Sequence, residues 1–239
     1  GKEGLVAQWA KDPAPMLLAA RWTSAVLGSL SCVAVAIAGR RMFSRSAGLF
    51  AGASLAVACL PVAYGHFALN DVPALLPIAI ALIAVAGLAT GGNRWFDWTV
   101  AGLAAGVAVS TKYTAGVVAV AVLCVAVPKG LAALRGLAIA ALAGLIGFAI
   151  SNPYALLSFG DFRRGLSQQS DFSSQRLFGL WTSNPFAYYG DVAVWGFGLV
   201  PLLLAAVGLV GLIRGDRIKA AVLAVPPVVL LASLSVNLL

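Results

Sequence analysis

Residues 72–90 read VPALLPIAIALIAVAGLAT, nineteen positions without a charged side chain. A helix of that length rises about 28 Å at about 1.5 Å per residue, close to the ~30 Å hydrocarbon core of a bilayer. Lipid offers no partner to backbone N–H and C=O groups, so such a segment satisfies its own backbone as a helix. Working outward, further apolar runs occupy Met16–Ala38, Ser46–Tyr64, Trp98–Ser110, Tyr113–Val127, Leu131–Ile150, Val192–Ile213 and Ala220–Leu239. The whole chain of 239 residues is 61% hydrophobic and 10% charged, against roughly 45–50% and 25% in soluble domains. It has too little polar surface to face water all round. The runs are continuous in Ala, Leu, Val and Gly and lack the alternation of an outer-membrane strand. The expected fold is all-α: a polytopic transmembrane bundle of about eight spans with one long outer loop. The runs from Trp98 and Tyr113 are short, either tilted crossings or one broken helical pair turning at Ser110, Thr111 and Lys112.

Charge supports this layout. One alternate set of connections holds Arg40, Arg41, Arg45, Arg94, Lys129, Arg135, Arg214, Arg217 and Lys219 against Asp97 and Asp216, nine bases to two acids. The other set holds Lys2, Lys11, Arg21, Lys112, Arg163, Arg164 and Arg176 against Glu3, Asp12, Asp71, Asp161, Asp171 and Asp191, seven to six. Lys and Arg are retained on the cytoplasmic side, so the first set is expected inside. The net charge of +8 is therefore topological, and no basic stripe with interleaved aromatics suggests nucleic acid. Arg40 and Arg41 read as topological in this sense. Cys32, Cys59 and Cys124 lie in separate apolar runs and read as small buried hydrophobes, neither a disulfide frame nor a metal site. Gly102 to Gly106 and Gly136 to Gly147 are patches where helices can approach closely. The expected organisation is 1–15 as the end of an outer loop, 16–150 as six spans, 151–191 as the long outer loop and 192–239 as two spans. That loop is too long for a plain connection and too aromatic for disorder, and a short interfacial helix is expected at Phe159 to Gln169.

Chemistry-bearing residues concentrate on the outer side. Asp71 stands at the mouth of a span with Pro73 two positions on; it reads either as a helix cap or as a carboxylate held at the membrane boundary. His66 is the single histidine, either an interfacial polar group or a proton-handling contact, and one imidazole rules out a zinc site built on several within the chain. Lys112, the one cation of its short outer turn, runs against the charge bias. It reads as a snorkelling lysine or as a contact to an anionic head group, beside the hydroxyls of Ser110 and Thr111. The long loop offers Arg163, Arg164, Gln168, Gln169, Gln175 and Arg176 beside Tyr154, Trp181, Tyr188 and Tyr189; cations suit phosphate, while amides and aromatic faces suit sugar rings or an interfacial anchor. No nucleotide-binding glycine loop, HExxH or GxSxG is present.

Four stretches in order, AGRRMF (38–43), GHFALNDVP (65–73), AGLAAGVAVSTKYT (101–114) and NPYALL (152–157) with Phe162, resemble glycosyltransferase family 39. These are membrane glycosyltransferases of the C-type fold, related to protein O-mannosyltransferases and the aminoarabinose transferase of lipid A. The resemblance implies a multi-pass protein of the cell membrane with its active site on the outer face. It implies a polyprenyl-phosphate sugar donor, a lipid, glycan or protein acceptor, and transfer with inversion. Asp71 matches the family's acidic position and Lys112 the lysine at the carrier phosphate. Arg163 and Arg164 are further phosphate candidates, and His66, Asn70, Tyr113, Tyr154 and Gln168 are candidate substrate contacts. The resemblance requires no cofactor and leaves a divalent metal open. It places the principal catalytic acid in a first outer loop upstream of Gly1. The rival class, a transporter or lipid flippase, would carry polar groups at mid-helix, whereas here they cluster at span ends.

Overall fold

In the computed structural model, which describes residues 2–92, 94–174 and 185–236, every regular element is helical. The helices are α1 (Lys2–Lys11), α2 (Ala14–Met42), α3 (Arg45–Val57), α4 (Cys59–Gly65), α5 (Asp71–Ala89), α6 (Trp95–Thr111), α7 (Val118–Ala126), α8 (Leu134–Ser151), α9 (Tyr154–Leu157), α10 (Phe159–Ser174), α11 (Pro185–Phe197), α12 (Leu199–Gly215) and α13 (Arg217–Val236). Their ends follow local chemistry. Helix α2 takes Pro15 into its first turn and closes with Arg40 and Arg41 in its last, where the helix dipole favours cations. Ser44 starts α3, its Oγ accepting the Ala47 N–H at 3.2 Å. The α11–α12 corner turns by 107° at Gly198, whose φ of 89° is open to glycine at little cost.

Four segments are long and apolar enough to cross a membrane: Ala14–Met42, Asp71–Ala89, Tyr113–Ser151 and Arg217–Leu234. Counting each bent pair as one span, α3 with α4 (52°) and α11 with α12, brings the number to six. Among the described residues, length and composition thus give four to six candidate spans, and the eight expected are not shown. Two features lie behind the difference. Helix α6, the fourth expected span, is short at 17 residues, about 26 Å, yet it runs the length of α5 from the Asp97 end to the Lys112 end. The fifth and sixth expected spans, α7 and α8, are continuous by length alone, but they are two helices broken where Gly130 takes φ 56° and ψ −136°, and the second returns to the edge where the first began, Ser151 meeting Ser110. Lys112 leaves α6 in an extended backbone before a 3-10 turn at Tyr113–Val117, so the chain does break where the short pair was expected to turn.

Helices α2, α5, α6 and α8 form the centre, with α3 on α2 and α13 on α7. The closest approach joins α6 to α8: a Cβ at Gly102 would overlap the Ala140 carbonyl, so the two backbones touch as the glycine patches predicted. The buried core has two parts. One gathers Met42, Val85, Leu88, Trp98, Val125 and Val222; the other is built on Ala74, Ala81, Ala104, Ala105, Ala108 and Ala115, with Val118. Large apolar side chains elsewhere stay exposed, among them Val207 on α12 at 72% and Leu145 on α8 at 68%, as lipid-facing surfaces do.

One expectation is corrected and one is sharpened. The cysteines are free, but Cys59 is exposed and Cys32 and Cys124 are half-buried, because α2, α4 and α7 do not turn these positions fully inward. The stretch after Ser151 is substantially helical: α9 and α10 follow at once, α10 extends the expected interfacial helix to Ser174, and α11 begins at Pro185. Helix α10 is amphipathic, with the Phe162 ring 6.3 Å from Phe148 on α8 and with exposed Arg163, Gln168 and Gln169.

Candidate functional site

Helix α5 starts and α6 ends at the same edge of the bundle, and this brings residues 70–71 beside residues 111–112. The Lys112 ammonium pairs with the Asp71 carboxylate. Next to it the Asn70 Nδ2–H donates to the Thr111 carbonyl at 2.7 Å. Two neighbouring residues of one corner thus hold two neighbouring residues of the other. Asp71 is not the cap of α5: Asn70 holds that position without a side-chain capping bond, and Asp71 is the first helical residue, its carboxylate taken by Lys112. In that first turn a carboxylate still favours the helix dipole. Lys112 in turn does more than snorkel, since its charge ends on a carboxylate.

The pair remains open. The side chains of Lys112 and Asp71 are 37% and 30% exposed, so a ligand can reach both. The rim extends to α8, where Ser110 Oγ stands 2.6 Å from Ser151 Oγ, and onward to α10 through Phe148 and Phe162. The corner leading into Asp71 carries Ala68 at φ 57°, a left-handed conformation that non-glycine residues seldom adopt.

The remaining candidates are not part of the pair. His66 is exposed, with Nδ1–H donating to the Val62 carbonyl at 2.8 Å, which leaves Nε2 as its free nitrogen. It lines a cavity of about 600 Å³ between α2, the α3–α4 bend and the start of α5. Tyr113 is 46% and Tyr154 70% exposed. Arg163 and Gln168 are exposed on α10, and Arg164 is turned to Asp161 one turn earlier on the same helix. Tyr188 and Tyr189 stack edge to face in α11. Gln175, Arg176 and Trp181 lie outside the described residues. Among the described residues, no group of three His, Cys, Asp or Glu side chains is placed to hold a metal ion.

One pair was missed in the sequence. Arg41 is not merely topological: its Nη2 donates to both oxygens of Asp97 at 2.9 and 3.1 Å, and its Nη1 to the Ile83 carbonyl at 3.1 Å. Asp97 is 2% exposed. The guanidinium passes over Gly87, where a Cβ would overlap it. The available signal was that only Asp97 and Asp216 are acidic in the basic set of connections. Both are paired, Asp216 with the Lys219 ammonium at 3.1 Å. The Lys219 backbone N–H and ammonium hold the Asp216 carboxyl below its ordinary value.

The family described as Dolichyl-phosphate-mannose-protein mannosyltransferase matches residues 16–156. That stretch contains Asp71, Lys112, Arg41 and Asp97, and leaves α10 to α13 beyond it. No curated protein and no solved structure matches the chain.

Proposed function

The chain belongs to the dolichyl-phosphate-mannose-protein mannosyltransferase family, membrane glycosyltransferases that draw their sugar from a lipid phosphate, and from that premise we propose that Asp71 and Lys112 are the working pair of an inverting transfer. The donor is a hexosyl or pentosyl unit on a polyprenyl phosphate, and the acceptor is a hydroxyl of a lipid, glycan or protein. The reaction takes place at the Asp71 edge of the bundle, which the charge bias puts on the non-cytoplasmic side.

The ion pair between the start of α5 and the end of α6 carries this reading. An acceptor oxygen attacks the anomeric carbon while its proton passes to a carboxylate; the bond from that carbon to the phosphate oxygen breaks, and the phosphate leaves with the electron pair. Asp71 serves as a base or as the group that orients the acceptor. Negative charge grows on the leaving phosphate, and a cation fixed beside it stabilises that charge most in the transition state. Lys112 can do this without releasing Asp71, because an ammonium carries three N–H donors. One nitrogen then ties the carboxylate to the leaving group. Asn70 keeps the two corners in register through Thr111. Arg163 and Arg164 on α10 are candidates for a second phosphate contact, and His66, Tyr113, Tyr154 and Gln168 for contacts to sugar or acceptor.

The test is Lys112→Ala in the intact, membrane-inserted protein, with transfer from a polyprenyl-phosphate sugar as readout. A charge-assisted contact is worth about 1.5–3 kcal/mol, so transfer falls roughly ten- to a hundredfold. Donor use at the normal rate in a correctly inserted variant would remove Lys112 from the reaction.

A further inference from the structure

The cavity beside His66 is bounded by α2 on one side and by Pro61, Val62, Val72 and Leu75 on the other. At about 600 Å³ it has the size of a ligand site rather than a packing defect. Its lining is mostly apolar; the polar side chains are Ser24, Ser29 and His66, with Arg21 the one charged group, exposed. Along α2 the lining runs from Leu18 to Cys32, and Arg21 stands eleven residues from its inner end at Cys32, about 16 Å of helix. That is close to the ~15 Å of hydrocarbon in one leaflet.

One group inside does not fit an empty apolar slot. Ser24 is 2% exposed and lines the cavity. Its neighbours on α2 return their hydroxyls to the backbone one turn back: Thr23 to Ala19 at 2.9 Å, Ser29 to Ala25 at 2.8 Å and Ser31 to Leu27 at 2.7 Å. The Ser24 hydroxyl has no hydrogen-bond partner among the described residues, and a buried donor without one is costly. It lies three residues, about 4.5 Å of rise, below Arg21 on the same helix.

We propose that the cavity binds one chain of a glycerophospholipid of the leaflet on the Asp71 side, with the lipid phosphate at Arg21 and an ester carbonyl accepting the Ser24 hydroxyl. The cation selects an anionic head group. The hydroxyl distinguishes the lipid class: an ester carbonyl accepts its proton, whereas the hydrocarbon tail of a polyprenyl phosphate offers no acceptor at that depth. The site is therefore distinct in chemistry from a carrier-lipid site, and Lys112 takes no part in it.

The intact protein, purified in detergent and titrated with dipalmitoyl phosphatidylglycerol in its diester form and in a diether form, tests this by native mass spectrometry. The wild type holds the diester about three- to tenfold more tightly than the diether, the worth of one net hydrogen bond. Ser24→Ala removes the preference while keeping the fold. Arg21→Gln weakens both lipids tenfold or more, and Ala25→Phe, which fills the cavity, abolishes binding. Equal affinity of the wild type for the two forms, or unchanged binding in Ala25→Phe, overturns the assignment. So does displacement of the phospholipid, one for one, by a polyprenyl phosphate of higher affinity. The titration contains no sugar donor, so its outcome is independent of whether Asp71 and Lys112 perform transfer.

Discussion

Each end of the α5–α6 pair carries one carboxylate and one cation, in different surroundings. At the far end Asp97 of α6 meets Arg41 of α2, the carboxylate 2% and the arginine 35% exposed, with the guanidinium also held by the Ile83 carbonyl. At the near end Asp71 and Lys112 meet over a core of alanines, each about a third exposed, in a corner that contains a left-handed Ala68. A pair whose carboxylate is buried, even with its guanidinium 35% exposed, chiefly holds the helices together, since opening it would leave a buried charge. An open pair contributes little to stability and is free to accept a third partner. The same two charge types thus form a latch at one end and, in the proposed function, the working site at the other.

That contrast can be broken by substitution, beginning with the latch. Arg41→Ala strands the Asp97 carboxylate and lowers stability by about 3–5 kcal/mol, read as loss of folded protein in a detergent thermal melt; a loss below about 1 kcal/mol would mean that water reaches Asp97. Gly102→Ala pushes a methyl group into the Ala140 carbonyl and costs about 1–3 kcal/mol in the same melt, because neither backbone can easily give way. Ala68→Gly relieves the left-handed corner and raises stability by up to about 1 kcal/mol. The smallest effect sharpens the comparison most: a double-mutant cycle of Asp71→Asn with Lys112→Met gives a coupling of only about 0.2–1 kcal/mol in stability. A coupling as large as that expected at Arg41 would make both ends structural.

Much of this was legible in the sequence, and the exceptions share a cause. The helical membrane fold followed from the apolar runs, and the edge at Asp71 and Lys112 stood out because each is an ionisable residue at a span end. Their contact did not follow, since it depends on α5 and α6 being close and of opposite direction. Arg41 was read as topological because the charge bias explains every cation in its set equally well; only packing over Gly87 separates it from Arg40. The number of spans was not settled by apolar length, because α6 is short and Gly130 and Gly198 bend the helical stretches. The Ser24 cavity left no mark on the periodicity of α2, where Ser24, Ser29 and Ser31 look alike until their hydroxyls are traced.

The most direct test of the working site is the transfer rate of Asp71→Asn in the intact, membrane-inserted protein, measured beside its thermal melt. Asn keeps the shape and can still accept a hydrogen bond from Lys112, but it cannot take a proton or carry the charge. The account predicts a loss of transfer of roughly a hundredfold or more with a melt within about 1 kcal/mol of the parent. Wild-type transfer by Asp71→Asn would contradict it.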